Sequence, residues 1–252
     1  ESEEPAQETV DAIRDAGGTA TAHYGDISDF GYVEDLVSDT VEEYGRVDGA
    51  VNFAGILRDA ISYKMEEDEW DPVIQVHLKG HFNLLRHLAA HWRSVAADTE
   101  DDELESQRSF VSITSPAALG NVGQLNYGSA KAGILGMTRT AAIELDRLNI
   151  RVNALLPLAD TRMTETVPGS EDRPPRPPER VASAVGFLMS DDAEDVSGCT
   201  IRAVGDEIAL YSDPEIQRTM VKDGGWSAED LAAEFTDTMG ENQNLHRTDL
   251  RF

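Results

Sequence analysis

The sequence lacks cysteine pairs, clusters of metal ligands and long apolar stretches. Cys199 is the single cysteine of the 252 residues, so no disulfide can form within the chain, which is typical of a reducing compartment. No apolar stretch approaches the roughly 20 residues that span a bilayer. The first residues are too acidic and polar for a signal peptide, and no Cys/His group has the spacing of metal ligands. We therefore expect a cytoplasmic protein without a metal site.

Basic residues are also scarce. Lys and Arg number 21 against 48 Asp and Glu, which leaves a formal net charge of −27. Such a charge argues against nucleic acids and anionic membranes as partners. The acidic excess is spread along the chain, and a surface of this kind stays soluble at high salt, where its self-repulsion is screened. We predict halophilic adaptation; an ordinary acidic cytosolic protein is the alternative.

Short apolar segments alternate with longer amphipathic ones along most of the chain. The β-branched or apolar segments predict strands over residues 19–24, 49–53, 110–113, 150–156 and 199–204. Helical periodicity covers residues 6–16, 32–44, 70–92, 130–145 and 180–189. Strands and helices that alternate at this spacing form right-handed βαβ units. The expected fold class is therefore α/β, with a doubly wound, mostly parallel sheet.

Three segments depart from this alternation. Residues 96–107 form an acidic loop, and residues 168–178 are too rich in proline for a helix or a central strand. The proline-rich segment is either a lid beside a site or a plain surface connector. From Asp206 onward the chain is polar, with one predicted helix over residues 228–239. We therefore expect one domain over residues 1–205 and a C-terminal extension over residues 206–252.

Tyr127 and Lys131 are the first candidates for chemistry. Residues four apart at the start of a helix project from the same face. A phenol has an ordinary pKa near 10, which is too high for proton transfer at neutral pH. A neighbouring ammonium favours the phenolate and lowers that pKa. By itself the pair is weak evidence, because chance Tyr-x-x-x-Lys pairs are common on exposed helices.

Hydroxyl and small residues at predicted strand ends strengthen this interpretation. Thr114 and Ser115 follow the strand at 110–113, and ligands of open α/β sheets bind at the carboxyl ends of the strands. A hydroxyl there could hold a substrate oxygen beside Tyr127. After the strand at 49–53, Ala54 and Gly55 are small enough to let a ligand approach the backbone.

The motifs together resemble the short-chain dehydrogenase/reductase family. The matching pieces are the Asn52-x-Ala54-Gly55 turn, Ser115 with Tyr127-x-x-x-Lys131, the segment from Arg151 to Pro157, and Asp26-Ile27. The resemblance runs from about residue 6 to residue 204 and implies a Rossmann-like fold. More narrowly, residues 54–59, 70–80 and 162–167 resemble the (R)-3-hydroxyacyl-CoA dehydrogenase unit of type 2 multifunctional β-oxidation enzymes.

This resemblance implies a role for each matched catalytic residue. Tyr127 would exchange a proton with the substrate oxygen, and Ser115 would hydrogen-bond that oxygen. Lys131 would lower the pKa of Tyr127 and bind the nicotinamide ribose. His77 stands where the family usually has a helix Asn, so it is a candidate for the proton relay. A structural histidine is the alternative at this position.

The resemblance also implies contacts to a nicotinamide cofactor, with NAD expected and NADP the alternative. Besides Tyr127 and Lys131, these would be Asp26 and Ile27 at the adenine, Asn52, Ala54 and Gly55 at the adenosine ribose, and Pro157, Leu158 and Thr161 at the nicotinamide end. Two features depart from the family. The Ser115–Tyr127 spacing is one residue short, which puts Thr114 at the usual separation; the alignment of the strand favours Ser115. Leu158 replaces the usual Gly and would narrow the nicotinamide pocket.

The largest departure is the absence of any Gly-x-x-x-Gly-x-Gly segment. That turn normally cradles the cofactor pyrophosphate at a helix N-terminus. The missing βαβ unit would supply two strands between those predicted at 19–24 and 49–53, so the sheet would have a gap with unpaired edges. We therefore expect the sequence to be the C-terminal portion of a longer protein.

The expected function is an NAD(P)-dependent oxidoreductase that interconverts a secondary alcohol and a ketone, by resemblance on a 3-hydroxyacyl-CoA. One alternative is a short-chain reductase acting on a 3-oxoacyl carrier protein, a steroid or a sugar alcohol. Another is a truncated remnant without catalysis. The helix predicted over residues 70–92 packs against a partner subunit in this family, which implies a homodimer or homotetramer; packing within one subunit fits the same pattern.

Overall fold

The computed structural model describes residues 4–161 and 175–239. The subfamily match at 162–167 and the proline-rich segment up to residue 174 lie outside these residues. The chain divides into two compact units, Glu1–Tyr211 and Ser212–Phe252. The first unit thus continues six residues beyond the boundary expected at residue 205. No helix in the described part of the chain is long and apolar enough to cross a membrane.

One five-stranded sheet organises the first unit. Its strands follow each other in chain order: β1 (Gly49–Asn52), β2 (Arg108–Ile113), β3 (Ile150–Leu158), β4 (Thr200–Val204) and β5 (Glu207–Tyr211). The first four strands are parallel, and β5 is antiparallel to β4. Asn52 lies opposite Ser112, which lies opposite Ala154 in β3. The carboxyl ends of β1, β2 and β3 therefore meet at one edge of the sheet.

Helices cover both faces of this sheet. The first unit contains, in chain order, α1 (Glu4–Asp15), α2 (Phe30–Tyr44), α3 (Glu67–Ile74), α4 (Gly80–Ala96), α5 (Leu125–Leu145) and α6 (Pro178–Met189). The second unit contains α7 (Ala228–Met239). One core places α2, α4 and α5 against Phe110 of β2, and a second places α6 against Val111. Neighbouring residues of a strand point to opposite faces. The doubly wound, Rossmann-like α/β fold expected from the sequence is confirmed.

The predicted helix over residues 70–92 is present with a local change of winding. It begins at Glu67, where Glu66 and Glu69 form a capping box, and it ends at Ala96. Between α3 and α4 the backbone makes a π turn over Gln75–Lys79, so that the Gly80 N–H reaches the Gln75 carbonyl. Such turns insert one residue into the helical winding and are frequent at functional sites.

Two strand predictions need correction. Residues 19–24 are not a strand but irregular backbone, fixed by bonds such as the one from the Tyr44 hydroxyl to Thr21. A strand needs a neighbour for its backbone groups, and no described strand lies beyond β1 at that edge. The described residues therefore do not show the predicted gap between two strands but a continuous sheet that ends at β1. Strand β5 was missed because its side chains are mostly exposed and lack a buried alternation.

We predict that added salt stabilises this fold. With a net charge of −27, the acidic side chains repel one another in the folded protein. At ~1 M KCl the screening length falls to about 3 Å, which weakens this repulsion. The melting temperature, followed by circular dichroism, should rise between about 0.1 and 1 M KCl. An equal concentration of KCl added to a domain of near-zero net charge serves as the control. A melting temperature that does not rise contradicts the prediction.

Candidate active site

The helix α5 brings the two central residues together. It begins at Leu125, five residues before the predicted start, so Tyr127 and Lys131 lie one turn apart within the helix. The ammonium nitrogen Nζ of Lys131 lies 5.4 Å from the centre of the Tyr127 ring. The predicted common face of the two side chains is therefore confirmed.

Lys131 joins α5 to the carboxyl end of β2. Its side chain is buried, and Nζ donates a hydrogen bond of 2.7 Å to the Ile113 carbonyl oxygen. β2 lies between β1 and β3, and the next residues of the chain are Thr114 and Ser115. A buried charge that bonds a carbonyl at a fixed point of the sheet gives the helix a defined position.

Gly128 permits the close approach of α5 to the turn that follows β2. This turn is a short 3₁₀ helix over Pro116–Leu119, capped by the Ser115 side chain, which accepts a bond from the Ala117 N–H at 3.2 Å. A Cβ atom at position 128 would lie 2.8 Å from the Ala117 carbonyl oxygen. A larger residue at position 128 would therefore force α5 and this turn apart.

The structure separates the two candidate hydroxyls. Thr114 is buried, and its hydroxyl donates to the Lys131 carbonyl at 3.0 Å. Ser115 instead hydrogen-bonds the side chain of Tyr127. Thr114 is thus occupied in fixing the α5 backbone, and Ser115 is the hydroxyl beside the phenol, as the strand alignment indicated.

Burial dominates the electrostatics of this pair. It raises the pKa of Tyr127, against the hydrogen bond from Ser115, which lowers it, and the nearby Asp59 carboxylate raises that pKa further. Burial also lowers the pKa of Lys131 to about 7. The net shift of the Tyr127 pKa is upward in the protein alone, opposite to the lowering expected from Lys131. Because the pKa of Lys131 is about 7, this lysine has lost its charge at the higher pH where the phenol ionises. It therefore exerts little electrostatic effect on that ionisation in the protein alone.

His77 lies beside the pair in the π turn. Its ring meets the edge of the Tyr127 ring, with 5.0 Å between the centroids, and it is buried. Nε2 accepts the Ile56 N–H at 3.1 Å and lies 2.8 Å from the Ile56 carbonyl oxygen, while Nδ1 has no hydrogen-bond partner. Burial, and then the charge of Lys131, lower the pKa of His77 to about 4, so the ring is neutral at pH 7.

Asn126 is a site residue that the sequence interpretation missed. It is buried, and its amide donates to the carbonyls of Arg58 at 2.7 Å and Glu69 at 2.8 Å, while its oxygen accepts the Tyr127 N–H. It thereby ties the loop after β1 and the start of α3 to the first turn of α5. An amide side chain immediately before Tyr127 was the available signal, because polar residues at helix starts favour backbone contacts.

The residues expected at the adenine lie along the start of α4. Asp26 is exposed, and hydrogen bonds from Ser28 are the main cause that lowers its pKa. The Ile27 carbonyl accepts a bond of 2.9 Å from the buried Asn83, and the Ile27 side chain packs over Gly80. These contacts fix the backbone of Ile27 against α4, while Asp26 is held by Ser28.

The turn after β1 places the next group at the same edge. Asn52 is buried and accepts the Ala54 N–H at 3.0 Å, which turns the chain immediately after the strand. Position 55 requires glycine for a steric reason, because a Cβ atom there would lie 2.4 Å from the His77 ring. The small side chain thus accommodates His77 in this turn.

Pro157 and Leu158 end β3, one strand further along the sheet. They pair with Ala203 and Val204 of β4 and are half-buried. Thr161 is exposed and is the last described residue before residue 175. Asp160 bridges that interval, since its N–H donates to the Arg176 carbonyl and its carboxylate accepts the Arg176 N–H. The strand ends of β1, β2 and β3 thus place Asn52, Ser115 and Pro157 at one edge of the sheet, whereas Ile27 lies beside α4.

The donor set at this edge fits the nicotinamide half of a dinucleotide. Lys131 offers a buried ammonium, Tyr127 and Ser115 offer hydroxyls, and the carboxyl ends of parallel strands are where dinucleotides bind in such folds. The Gly-rich turn that would hold the pyrophosphate is missing from this sequence. A Rossmann-like sheet with a Ser–Tyr–Lys constellation at its carboxyl edge defines a nicotinamide-linked oxidoreductase.

Comparison with known proteins agrees with this class. The family described as Enoyl-(Acyl carrier protein) reductase matches residues 1–205. The chain therefore belongs to the short-chain dehydrogenase/reductase family, whose members use NAD(P) as hydride carrier. It is an oxidoreductase by family.

This chain matches different shares of the length of its relatives. Hydroxyacyl-CoA dehydrogenase ChsB1 of Mycobacterium tuberculosis is 38% identical over 97% of this chain and 81% of that protein. Peroxisomal multifunctional enzyme type 2 of Mus musculus is 37% identical over 77% of the chain but only 25% of its own length. A crystal structure of a short chain dehydrogenase from Mycobacterium avium matches with a TM-score of 0.82 and 36% identity, over 94% of this chain and 80% of that one.

We predict different effects for the two neighbouring hydroxyls. Ser115→Ala removes a hydrogen bond to the phenol of Tyr127, the expected proton-transfer group, and should lower kcat roughly 100-fold. Thr114→Val removes a structural bond and should cost about 1 kcal/mol of unfolding free energy, with a change in kcat below about threefold. Steady-state kinetics and urea unfolding of both variants test this. The reverse ranking of the two kcat losses would show that Thr114 is the catalytic hydroxyl.

We also predict that stability falls in mild acid through His77. Its pKa is 6.5 unfolded and about 4 folded, so between these values the unfolded chain binds more protons and the unfolding free energy decreases as the pH falls. The loss amounts to at most about 3 kcal/mol. His77→Asn should flatten this part of the curve in urea unfolding at constant KCl, whereas His23→Asn, at an exposed position, should not. Equal slopes for wild type and His77→Asn would contradict the assignment.

Proposed function

We propose that this protein catalyses the NAD-linked interconversion of a 3-hydroxyacyl-CoA and the corresponding 3-oxoacyl-CoA. The observation that supports the chemistry is the Ser115–Tyr127–Lys131 constellation at the carboxyl end of β2. The substrate class is supported by the names of hydroxyacyl-CoA dehydrogenase ChsB1 and the peroxisomal multifunctional enzyme, and by the resemblance at residues 54–59 and 70–80.

The proton in this mechanism moves through Tyr127. In the oxidative direction the Tyr127 phenolate takes the proton of the substrate hydroxyl, while Ser115 donates a hydrogen bond to the substrate oxygen. In the reductive direction the phenol returns that proton to the same oxygen. The bound nicotinamide supplies the hydride exchange with the substrate carbon. These roles agree with the side chains that the structure places within contact of one another.

Lys131 is proposed to hold the nicotinamide ribose and, once the cofactor is bound, to shift the ionisation of Tyr127. Its position beside the Tyr127 ring and its burial support both roles. Because burial alone raises the Tyr127 pKa, the phenolate depends on positive charge that is brought next to it. His77 is proposed to line the active site next to Tyr127 as a neutral ring, and its buried Nδ1, which has no hydrogen-bond partner, is proposed to take part in a proton relay.

The remaining proposed roles are contacts to the cofactor, and they rest on the resemblance and on the position of each residue in the fold. Asp26 and Ile27 are proposed at the adenine, Asn52, Ala54 and Gly55 at the adenosine ribose, and Pro157, Leu158 and Thr161 at the nicotinamide end. NAD rather than NADP is proposed on the resemblance alone. A cytoplasmic location, a homo-oligomeric state and halophilic adaptation stay predictions, supported by the single cysteine, the apolar helix pattern and the charge of −27.

A second candidate is reduction of a 3-oxoacyl group on a carrier protein. The description of the matching family, Enoyl-(Acyl carrier protein) reductase, favours it. The acyl-CoA and the acyl carrier protein substrate share the acyl thioester but differ in the group that carries it. The ratio of kcat/KM for the two substrates therefore identifies the physiological carrier.

We expect turnover of (R)-3-hydroxybutyryl-CoA and longer homologues with NAD at ~1 M KCl, which supplies full screening, measured by NADH absorbance. Tyr127→Phe should lose at least about 1,000-fold in kcat, because the proton acceptor is removed while the ring stays. Glu100→Gln, in the exposed acidic loop, serves as a control with unchanged activity.

Three results would contradict this proposal. A higher kcat/KM with the carrier-protein substrate, or with a steroid or sugar alcohol, would favour those substrates. Binding of dinucleotide without turnover of any of them would refute the substrate class. Failure of the protein to bind either NADH or NADPH, followed by nucleotide fluorescence, would favour a remnant without catalysis.

A further inference from the structure

His81 is a fully buried histidine outside the set of predicted site residues. It lies on α4, one turn after His77, between the carboxyl ends of β1 and β2. Its Nε2 accepts a hydrogen bond of 3.1 Å from the Ile113 N–H, and its Nδ1 lies 2.6 Å from the His77 carbonyl oxygen. Since Nε2 accepts, Nδ1 bears the proton and donates it to that carbonyl.

Ile113 lies where the ladder between β1 and β2 ends. The Thr114 N–H donates to Leu155 in β3, so by alternation Ile113 points its own N–H and carbonyl toward β1. β1 ends at Asn52, opposite Ser112, so its register extends no further than the Ile113 N–H and leaves the Ile113 carbonyl beyond the last pair. His81 contacts this N–H, and Lys131 donates to the carbonyl. Two side chains thus hold Ile113 at the point where the sheet ends.

We propose that His81 is a positioning residue, which holds Ile113 so that the Ile113 carbonyl places the ammonium of Lys131 beside Tyr127. The Nδ1 bond gives His81 a second function, because it also fixes the His77 carbonyl at the π turn. One imidazole therefore couples α4, the end of β2 and, through Lys131, the start of α5.

The surroundings of His81 favour a neutral ring with a single tautomer. From α5 it faces the Lys131 ammonium, from its own helix His77, and from β1 the amide of Asn52, whose nitrogen lies 3.3 Å from Nδ1. Burial is the main cause that lowers the pKa of His81, to about 3, and the charge of Lys131 lowers it further. Because this pKa lies far below 7, the neutral imidazole keeps Nε2 as an acceptor at pH 7.

Side chains that imitate one imidazole nitrogen separate the two bonds. The His81→Gln amide oxygen can occupy the place of Nε2 and accept the Ile113 N–H, whereas His81→Asn reaches only the place of Nδ1. His81→Leu keeps similar volume and makes neither bond. If the Ile113 bond positions Lys131, glutamine restores the site and asparagine does not.

The first readout needs no substrate, so it stays valid if the proposed acyl-CoA function is wrong. The chain has four lysines, and labelling their Cε atoms with carbon-13 gives four resolvable NMR signals, with Lys131 assigned from Lys131→Met. In His81→Leu and His81→Asn the Lys131 signal should change in chemical shift and in titration midpoint, by at least ~0.5 pH unit. In His81→Gln both should match wild type, and the other three lysines should not change.

The second readout is turnover, which rests on the proposed function. His81→Leu and His81→Asn should lose at least tenfold in kcat, while His81→Gln should stay within about threefold of wild type. His87→Leu, at another buried histidine of α4, is the control for a merely structural loss. It should lower the melting temperature without changing the Lys131 signal. An unchanged Lys131 signal in folded His81→Leu, or equal losses in the Gln and Asn variants, would overturn the proposal.

Discussion

The hydrogen bond from Lys131 to the Ile113 carbonyl is the contact on which the candidate active site depends. It joins the helix that bears Tyr127 to the strand that ends in Ser115, and it does so with a buried charge, for which few alternative partners exist. Gly128 permits the close approach of these two elements, and Thr114 fixes the α5 backbone from the strand side. The constellation is therefore a property of the junction between β2 and α5.

Much of this arrangement follows from local sequence patterns. Helical spacing predicted the common face of Tyr127 and Lys131, and alternating strands and helices predicted a parallel sheet whose carboxyl edge collects Asn52, Ser115 and Pro157. The alignment of the strand favoured Ser115 over Thr114 without deciding between them, because the choice depends on which way two adjacent side chains turn at the end of a strand. The roles of the site residues stay proposals until they are tested on the protein.

Other features arise only from tertiary contacts. The strand predicted at residues 19–24 has the right composition but no neighbour, and β5 has a neighbour but no buried alternation. The hydrogen bond of His81 joins residues far apart in sequence, and the π turn at Gln75–Lys79 interrupts the regular helical period. Neither feature can therefore be predicted from periodicity. The upward net shift of the Tyr127 pKa likewise reflects burial, which a sequence motif does not report.

A crystal structure of the protein with NAD bound is the most direct test of the central claim. The account predicts the nicotinamide ribose hydroxyls within about 3 Å of Lys131 Nζ and Tyr127 Oη, with the nicotinamide ring facing the space beside Ser115 and the Lys131–Ile113 contact retained. A dinucleotide bound away from the carboxyl ends of β1, β2 and β3, or one that leaves Lys131 without a contact to it, would contradict the account.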